Sequence, residues 1–321
     1  MSLIKKIVIL AGDPNSINTE IIFKTWKKLN KSIKRRLCIV GSFNLINKQF
    51  KILKFNIKLN KLNNIEDKID IKKINILNID LKFIDPFKVS KISAMNYVKN
   101  SLNFAHKLSS KKLINGFINC PINKTILPKE NGVTEYLAKK CKIKKDTEVM
   151  LIKSKNFSVA PLTTHINVSQ VSRKIKANLI KKKIYTYNNW FKKIYKKKPK
   201  IGVLGLNPHN SEFRKTSEEY KVIRPIIRYL KKKGFKIEGP LIADTVFIDN
   251  FKNYNVIFGM FHDQVLAPFK SLFKFEGINI TLGLKYWRAS PDHGVAINLI
   301  KKNKSNPSSL LECVYFFNSL K

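Results

Sequence analysis

The chain has 321 residues, of which 44% are hydrophobic, and this content is enough for one large domain or two of ordinary size. No apolar run approaches the roughly 20 residues that span a bilayer, and the first residues lack the pattern of a secretory signal, so a membrane or secreted protein is not expected. The four cysteines are widely spaced, which argues against a CxxC zinc site or a disulfide scaffold and indicates reduced thiols in a cytoplasmic protein.

The formal net charge of +42 is high enough to suggest a nucleic-acid partner. Lysine is spread over every segment, however, and Asn and Ile are abundant as well, which is typical of a compositionally biased genome. The densest run, Lys192 to Lys200, is predicted to be a solvated helix end and loop. We therefore expect salt-sensitive, nonspecific attraction to RNA in vitro and no specific nucleic-acid partner.

The first part of the chain alternates between strand and helix patterns. Residues 6–10 predict a buried strand, residues 12–18 a turn, and the segment from Thr19 a helix. The dinucleotide fingerprint G-x-G-x-x-G is missing from this turn. A second strand is predicted at 36–41, variable edge strands and loops at 50–87, a helix at 89–108 that carries His106 on its surface, and a strand at 113–120.

The second part continues the alternation. Residues 148–152 and 158–164 predict a hairpin or two adjacent strands, and residues 168–190 predict one long helix. Thr216-x-x-Glu219 has the spacing of a capping box that opens a helix to about residue 232, which Gly234 ends. A short helix is expected at 243–245, and Asn306-Pro307 is expected to begin the last helix. The alternation throughout predicts an α/β sandwich.

Three histidines come directly after predicted strands. His165, His209 and His262 follow apolar runs that are far apart in sequence. If those strands are neighbours in one sheet, the imidazoles can converge, and three histidines with an open position suit a catalytic divalent metal. The spacing alone fits three unrelated polar residues equally well, because no pair has a short interval such as HExxH.

The segment 254–294 adds further polar groups after its apolar runs. It offers a carboxylate in Asp263, an ammonium in Lys270, an amide in Asn279 and a guanidinium in Arg288. Cationic and amide donors of this kind suit a small, negatively charged ligand.

Several motifs in one order and spacing resemble the 4-hydroxythreonine-4-phosphate dehydrogenase family of vitamin B6 synthesis. They are Gly-Leu-Asn-Pro-His at 205–209, Ala-Asp-Thr at 243–245, His-Asp-Gln at 262–264, the run from Lys270 to 284, Arg288, and Asp-His-Gly at 292–294. The resemblance implies a two-domain α/β/α sandwich like that of isocitrate and isopropylmalate dehydrogenases. Residues 1–124 with 292–321 would form the first domain, and residues 125–291 the second, with a cleft between them. It also implies a homodimer with a shared active site.

The resemblance further implies oxidation and decarboxylation of 4-phosphohydroxy-L-threonine to 3-amino-2-oxopropyl phosphate, with NAD or NADP as the hydride acceptor. A divalent metal (Zn, Mg or Co) would be held by His165, His209 and His262. The position of the NAD(P) site stays open. The implied substrate-binding residues are Val133, Thr134, Lys270, Asn279 and Arg288, and the candidate catalytic residues are Asp244, Asp263 and Lys124.

Some of these roles have structural alternatives. Asp244 fits helix capping about as well as proton transfer, and Lys124 fits capping of the next helix about as well as anion binding. Asp263 fits either orientation of a histidine or hydrogen bonding within its loop.

The sequence also departs from the family pattern. Ser16 and Asn18 replace glycines in the first turn, which predicts an altered turn, and Cys120 replaces another glycine. Val133 stands where the family has histidine, and the loop before it is shorter. The loss of a polar contact weakens discrimination between substrates, so a dehydrogenase of another phosphorylated hydroxy acid, of the tetronate phosphate type, is the alternative. A noncatalytic, basic RNA-binding derivative is a further one.

Overall fold

The computed structural model describes residues 5–127, 132–155 and 157–320. The chain forms two compact units, one made of Met1–Lys140 with Lys285–Lys321 and the other of Cys141–Leu284. These limits differ from the predicted boundaries at 124/125 and 291/292. The predicted substrate residues Val133, Thr134 and Arg288 therefore belong to the first unit.

Strands occur throughout the described chain. In chain order they are β1 (Ile7–Leu10), β2 (Leu37–Gly41), β3 (Leu59–Leu62), β4 (Ile74–Asn78), β5 (Gly116–Asn119), β6 (Val149–Ser154), β7 (Phe157–Pro161), β8 (Lys200–Leu204), β9 (Lys236–Leu241), β10 (Val256–Gly259), β11 (Ile278–Leu282) and β12 (Trp287–Pro291).

Helices alternate with these strands. They are α1 (Asn18–Lys28), α2 (Lys31–Lys34), α3 (Phe43–Ile52), α4 (Lys91–Ser110), α5 (Val133–Lys140), α6 (Val171–Lys174), α7 (Ala177–Tyr195), α8 (Arg224–Lys232), α9 (Ala243–Val246), α10 (His262–Phe273) and α11 (Ser308–Ser319).

The first unit contains a parallel sheet with the strand order β3-β4-β2-β1-β5-β12. Its central strands, β1 and β2, are apolar runs that are buried at every residue. Strands of this kind are covered on both faces, as in most parallel sheets. Helices α4 and α11 both pack against β1. The predicted α/β class is confirmed here.

The second unit contains a mixed sheet with the strand order β11-β6-β7-β10-β8-β9. β6 and β7 pair antiparallel, which is the hairpin among the two predicted alternatives, and β11 is antiparallel to β6. From β7 onwards the strands are parallel. A core of aliphatic and aromatic side chains from β7, β10 and α10, including Phe157, Ile257 and Phe269, covers the sheet. This unit carries all three candidate metal-binding histidines.

The turn between β1 and α1 forms without the expected glycines. Ser16 and Asn18 are absent from the residues with positive φ, so neither needs the left-handed conformation that glycine favours. Instead, their side chains brace the turn. The Ser16 hydroxyl donates to the Asp13 carbonyl at 2.5 Å, and the Asn18 amide donates to the carbonyls of Ala11 at 2.9 Å and Pro121 at 2.8 Å.

Two helix predictions are wrong in detail. The predicted helix at 168–190 is broken, because α6 ends at Lys174 and α7 begins at Ala177 after an extended Lys176. The predicted capping box at Thr216 does not form. Ser217 accepts from the Tyr220 amide at 3.3 Å, and the Glu219 carboxylate binds a different loop. A π-helical turn at Glu219–Ile223 precedes α8.

The structure shows where the basic run, the cysteines and His106 lie. Helix α7 ends at Tyr195 and is followed by exposed lysines, as predicted for the basic run. All four cysteines are buried free thiols. Within the three described ranges, no helix has both the length and the apolar character required to cross a bilayer. His106 is only half-exposed, because its Nδ1 lies 2.9 Å from the Tyr286 hydroxyl.

The first-turn geometry leads to a stability prediction. Replacing Asn18, which is 1% exposed, by Ala removes two hydrogen bonds to backbone carbonyls and should lower the free energy of unfolding by about 1–3 kcal/mol. Urea unfolding measures this change. Asn100→Ala, at an exposed position of α4, is the matched control and should change it little.

Asn18→Gly separates this account from the expectation based on the family glycines. It should destabilise the chain at least as much as Asn18→Ala, because the amide is lost and no left-handed strain is relieved. A glycine variant that is more stable than the natural chain would contradict this account of the turn.

Candidate active site

Three neighbouring strands of the second unit bring the candidate histidines to one edge of the sheet. β10 lies between β7 and β8 and is parallel to both. His165 follows β7, His209 follows β8, and His262 begins α10 immediately after β10. Polar residues at the carboxyl ends of parallel strands are where α/β enzymes place ligands.

The rings of His165 and His262 lie next to each other, with centroids 6.0 Å apart and planes inclined by 40°. The pairing of β7 and β10 continues beyond the strands and carries the two rings together. The Leu162 amide donates to the Gly259 carbonyl at 2.8 Å, and both the amide and the hydroxyl of Thr163 donate to the Met260 carbonyl. The spacing of the rings is therefore set by backbone structure.

His262 is oriented by its neighbour in the sequence. Its Nδ1 lies 2.6 Å from Oδ1 of Asp263, an exposed carboxylate. When Nδ1–H donates to this carboxylate, Nε2 keeps its lone pair and faces away from Asp263. Metal-binding histidines commonly have such a carboxylate partner, so this pair has the form of a ligand and its orienting group.

The pair of imidazoles fits a shared metal ion. With Zn–N bonds of about 2 Å, each ring centroid lies about 3 Å from the ion, so two ligating rings have centroids up to about 6 Å apart. His165 and His262 meet this limit. Among the residues that the structure describes, however, no three His, Cys, Asp or Glu side chains are close enough together to hold a metal. The three-histidine site thus stays a prediction, and the described residues bring two of its candidate ligands, His165 and His262, next to each other.

His209 begins an unusual left-handed stretch. All five residues from His209 to Phe213 have φ between 49° and 57°. This conformation costs roughly 1–2 kcal/mol for each L-residue, although His and Asn tolerate it better than most. The His209 side chain is exposed, and the next residue, Asn210, is buried and donates to the Pro240 carbonyl at 3.1 Å. The stretch therefore anchors Asn210 and leaves His209 at the surface of the chain.

Glu219 holds the loop that precedes His209. Its carboxylate is fully buried and accepts from the amides of Leu206 at 2.7 Å and Asn207 at 2.9 Å, and from the Asn207 side chain at 3.0 Å. Burial opposes ionisation, but these donors outweigh it and lower the pKa of the Glu219 carboxyl. A buried charge with three donors stabilises one loop conformation. The sequence analysis missed this role.

Gln264 connects two of the histidine-bearing segments and was also missed. Its carbonyl accepts from the Met260 amide at 2.7 Å, and its amide donates to the Gly205 carbonyl at 2.7 Å. The side chain thus bridges the end of β10, before His262, to the end of β8, before His209. A glutamine two residues after His262 and immediately after Asp263 was the available signal in the sequence.

Two predicted substrate residues lie in the second unit. Lys270 is exposed in the last turn of α10, the helix that His262 begins, about 12 Å further along its axis. Asn279 lies in β11, and its Oδ1 is buried without a hydrogen-bond partner among the described residues. A buried acceptor in this state is costly unless a ligand or water pairs with it, which is consistent with a role in substrate binding.

The remaining predicted substrate residues lie in the first unit. Arg288, in β12, is 4% exposed, and its Nε donates to Oδ1 of Asn119 in β5 at 2.6 Å. Its Nη1 lies 3.5 Å from the hydroxyl of Thr134, in the first turn of α5. Burial lowers the pKa of the Arg288 guanidinium to about 10, so the group stays cationic at neutral pH. Val133 is the half-buried first residue of α5.

Two candidate catalytic residues lie outside the segments that carry the three histidines. Asp244 is exposed in the first turn of the four-residue helix α9, where a carboxylate also suits the helix dipole. The backbone of Lys124 begins a short 3-10 turn, but its side chain lies outside the described part of the structure. Both roles stay predictions.

The turn between β1 and α1 is filled by its own side chains. The Asn18 amide fills the space beside Gly12, where an added Cβ would lie 2.7 Å from Asn18 Nδ2. The Asn18 backbone amide, at the start of α1, donates to the Ser16 hydroxyl at 3.1 Å. The Asn18 amide is therefore not available to a pyrophosphate at the start of α1, and the position of the NAD(P) site stays open.

Sequence comparison connects this arrangement to a family. The family model "Pyridoxal phosphate biosynthetic protein PdxA" matches residues 33–317. A 4-hydroxythreonine-4-phosphate dehydrogenase of Sulfurihydrogenibium sp. is 34% identical over 319 residues, covering 96% of both chains. A protein of Oceanobacillus iheyensis that carries the name of a D-threonate 4-phosphate dehydrogenase is 31% identical, covering 96% of this chain and 95% of that one.

Structure comparison agrees. A crystal structure of 4-hydroxythreonine-4-phosphate dehydrogenase from Klebsiella pneumoniae superposes with a TM-score of 0.86 at 25% identity, covering 98% of this chain and 97% of that chain. A β-decarboxylating dehydrogenase from Thermococcus kodakarensis, 10% identical with a TM-score of 0.50 over 99% of this chain and 84% of that one, shares the fold alone. The fold class predicted from sequence is confirmed.

The family match covers most of the chain, and the similarity to named dehydrogenases extends over nearly its full length. The chain therefore belongs to the PdxA family of pyridoxal phosphate biosynthesis, and it is a dehydrogenase.

Proposed function

We propose that this dehydrogenase oxidises and decarboxylates 4-phosphohydroxy-L-threonine, with NAD or NADP as the hydride acceptor and 3-amino-2-oxopropyl phosphate as the product. The supporting observation is the pair of imidazoles, His165 and His262, held 6.0 Å apart at the carboxyl ends of adjacent parallel strands. The choice of NAD(P) and of decarboxylation follows from family resemblance.

A divalent metal (Zn, Mg or Co) would be held by His165 and His262, with His209 as the third ligand. When bound, it would supply a Lewis acid that favours ionisation of the substrate alcohol and polarises the carbonyl formed from it. Asp263 fixes the ring of His262, and Glu219 and Gln264 fix the backbone that carries His209 and His262. These contacts preorganise the ligands before substrate binds.

Substrate binding is assigned to groups that suit a phosphorylated amino acid. Arg288 is a permanent cation with two of its nitrogens already positioned by Asn119 and Thr134, and Lys270 offers an exposed ammonium. The Oδ1 of Asn279, which has no hydrogen-bond partner among the described residues, suits a hydroxyl or ammonium donor of the substrate. Lys124 is proposed to bind an anionic group of the substrate and Asp244 to transfer a proton, each on the strength of the family pattern.

We place the active enzyme in the cytoplasm as a homodimer. The described residues of one chain bring two histidines together, but no three potential metal ligands. We therefore propose that a second copy of the chain supplies the third ligand. His209 is the ligand that we assign to the second copy, because it is exposed at the start of the left-handed stretch and the other two rings are adjacent.

A mixed-dimer experiment tests this assignment. His209→Ala and His262→Ala homodimers should each lose turnover and keep their fold, because an imidazole is missing from every site. Random mixing of the two variants should restore about a quarter of the natural turnover, because half of the dimers then contain one intact site of two. NAD(P)H formation measures the activity.

A His165→Ala and His262→Ala mixture is the matched control, since both rings come from one chain. It contains no chain with both rings, so each site lacks one ligand and turnover should stay absent. Restored activity in this control, with none in the first mixture, would contradict the division of the ligands. Full activity of His209→Ala in metal-free buffer would contradict metal dependence.

The second candidate function is oxidation of a tetronate phosphate. Two observations favour it. Val133 replaces the histidine that the family uses to contact substrate, and the Oceanobacillus iheyensis relative is named for D-threonate 4-phosphate. Valine neither donates nor accepts a hydrogen bond, so it discriminates weakly between an amino and a hydroxyl group on the substrate.

Assays with both substrates separate the two candidates. We expect a higher kcat/KM with 4-phosphohydroxy-L-threonine than with D-threonate 4-phosphate. Val133→His should change the ratio of the two kcat/KM values by about tenfold or more, since it adds a polar contact, whereas Val133→Leu should change it little. A strong preference of the natural chain for the tetronate would reject the first candidate.

A further inference from the structure

Glu218 connects the segment after His165 to the loop before His209. Its Oε1 accepts from the Ser172 hydroxyl in α6, and its Oε2 accepts from the side-chain amide of Asn207 at 2.9 Å. Ser172 lies seven residues after His165, and Asn207 lies two residues before His209. One carboxylate thus ties together two of the segments that carry candidate metal ligands.

Both ends of this tie are packed into the second unit. The Ser172 hydroxyl is at the surface, but its helix is anchored by Val171, which is 2% exposed, and by Ile175 directly after it, which is 1% exposed. Glu218 immediately precedes the π-helical turn Glu219–Ile223, which continues into α8 and its buried apolar face. Turns of this kind are rare and occur mostly at functional sites. The carboxylate therefore links two anchored helical segments.

The Asn207 side chain is shared between two neighbouring carboxylates. Its Nδ2 donates to Oε2 of Glu218 at 2.9 Å and to Oε2 of Glu219 at 3.0 Å, so each of its two N–H groups has its own acceptor. The backbone amide of Asn207 also donates to Glu219, at 2.9 Å. Hydrogen bonds to ionised acceptors are roughly twice as strong as those between neutral groups. Together they specify one orientation of Asn207.

Neutral donors, and not cations, hold the two carboxylates. Among the residues that the structure describes, no ion pair includes Glu218 or Glu219, although the chain has 63 Lys and Arg residues for 21 Asp and Glu. The hydrogen bond from Ser172 is the main cause that lowers the pKa of the Glu218 carboxyl, and the bond from Asn207 lowers it further. Directional donors of this kind fix geometry better than an exposed ion pair does.

We infer that Glu218 is a positioning residue for His209. The inference rests on the proposed function, in which His209 is a metal ligand that completes the site of a second copy of the chain. His209 is exposed on its left-handed stretch, so only its own chain holds it until the second copy binds. Glu218 contributes to this support by fixing Asn207, two residues before the imidazole, to α6.

Zinc affinity, measured by competition with a chromophoric chelator, tests the inference. Glu218→Ala should weaken zinc binding about tenfold, as the loss of an outer partner of a metal ligand commonly does. Ser172→Ala removes one end of the tie and should weaken binding about threefold. Ser169→Ala, at an exposed position of the turn before α6, is the matched control and should leave the affinity unchanged.

Glu218→Gln separates the hydrogen bonds from the charge. Glutamine has the length of glutamate, its Oε1 can accept from Asn207, and its Nε2 can donate to the Ser172 hydroxyl oxygen. We therefore expect it to bind zinc within about twofold of the natural chain. A loss as large as that of Glu218→Ala would overturn the inference, because charge would then be the cause.

A double variant tests whether Ser172 and Glu218 act as one unit. Ser172→Ala combined with Glu218→Ala should bind zinc as tightly as Glu218→Ala alone, because both changes remove the same connection. Losses that add fully would overturn the connection between the two segments.

Hydrogen exchange of the metal-free protein tests the tie without zinc. Glu218→Ala should speed exchange in the peptides that cover residues 164–175 and 205–210, whereas Ser169→Ala should not. Zinc affinity and exchange that are both natural in Glu218→Ala would overturn the inference. A natural chain that binds no zinc would instead contradict the proposed function, and the exchange measurement would still decide whether Glu218 holds the two segments together.

Discussion

The candidate active site depends on the parallel pairing of three adjacent strands. β10 is paired with β7 on one side and β8 on the other, and the register sets which residues leave the sheet at the same edge. The ladder between β7 and β10 continues through Leu162 and Thr163, so the rings of His165 and His262 are carried to 6.0 Å by backbone hydrogen bonds. Backbone pairing resists small displacements better than a flexible side-chain contact does. The histidine pair is thus positioned by hydrogen-bonded strands of the second unit.

The other side of β10 is held by side chains. Gln264 bridges β10 to β8. The buried carboxylate of Glu219 accepts hydrogen bonds from the amides of Leu206 and Asn207, at the start of the loop after β8. Burying a charge is costly, and a full set of donors offsets the cost only when the loop keeps one conformation. The five left-handed residues from His209 to Phe213 follow directly after this held segment, and Asn210 within them donates to the Pro240 carbonyl. Glu219 and Gln264 therefore act as positioning residues for the histidines.

Periodicity and strand ends in the sequence predicted the α/β class, the two strands β6 and β7 without deciding whether they form a hairpin, and the placement of the histidines after strands. These features depend on the local pattern of apolar and polar residues, and the tertiary contacts of the fold favour the same structure. The prediction of a capping box at Thr216 was wrong, because it rested on the spacing of two nearby residues. In the structure the Glu219 carboxylate instead binds a loop twelve or more residues earlier in the chain. The glycine-poor turn was predicted to be altered, but sequence alone did not show that the side chains of Ser16 and Asn18 would brace it. Burial of Arg288 likewise depends on β5, β12 and α5 meeting, which no single segment encodes.

X-ray absorption spectroscopy of the zinc-loaded protein tests the central claim most directly, because it counts imidazole ligands at the metal without relying on turnover. We predict a first shell with three imidazole nitrogens near 2 Å and an oxygen ligand in the remaining position. A shell of oxygen ligands without imidazole, in a folded and zinc-saturated sample, would contradict the account of the histidine site.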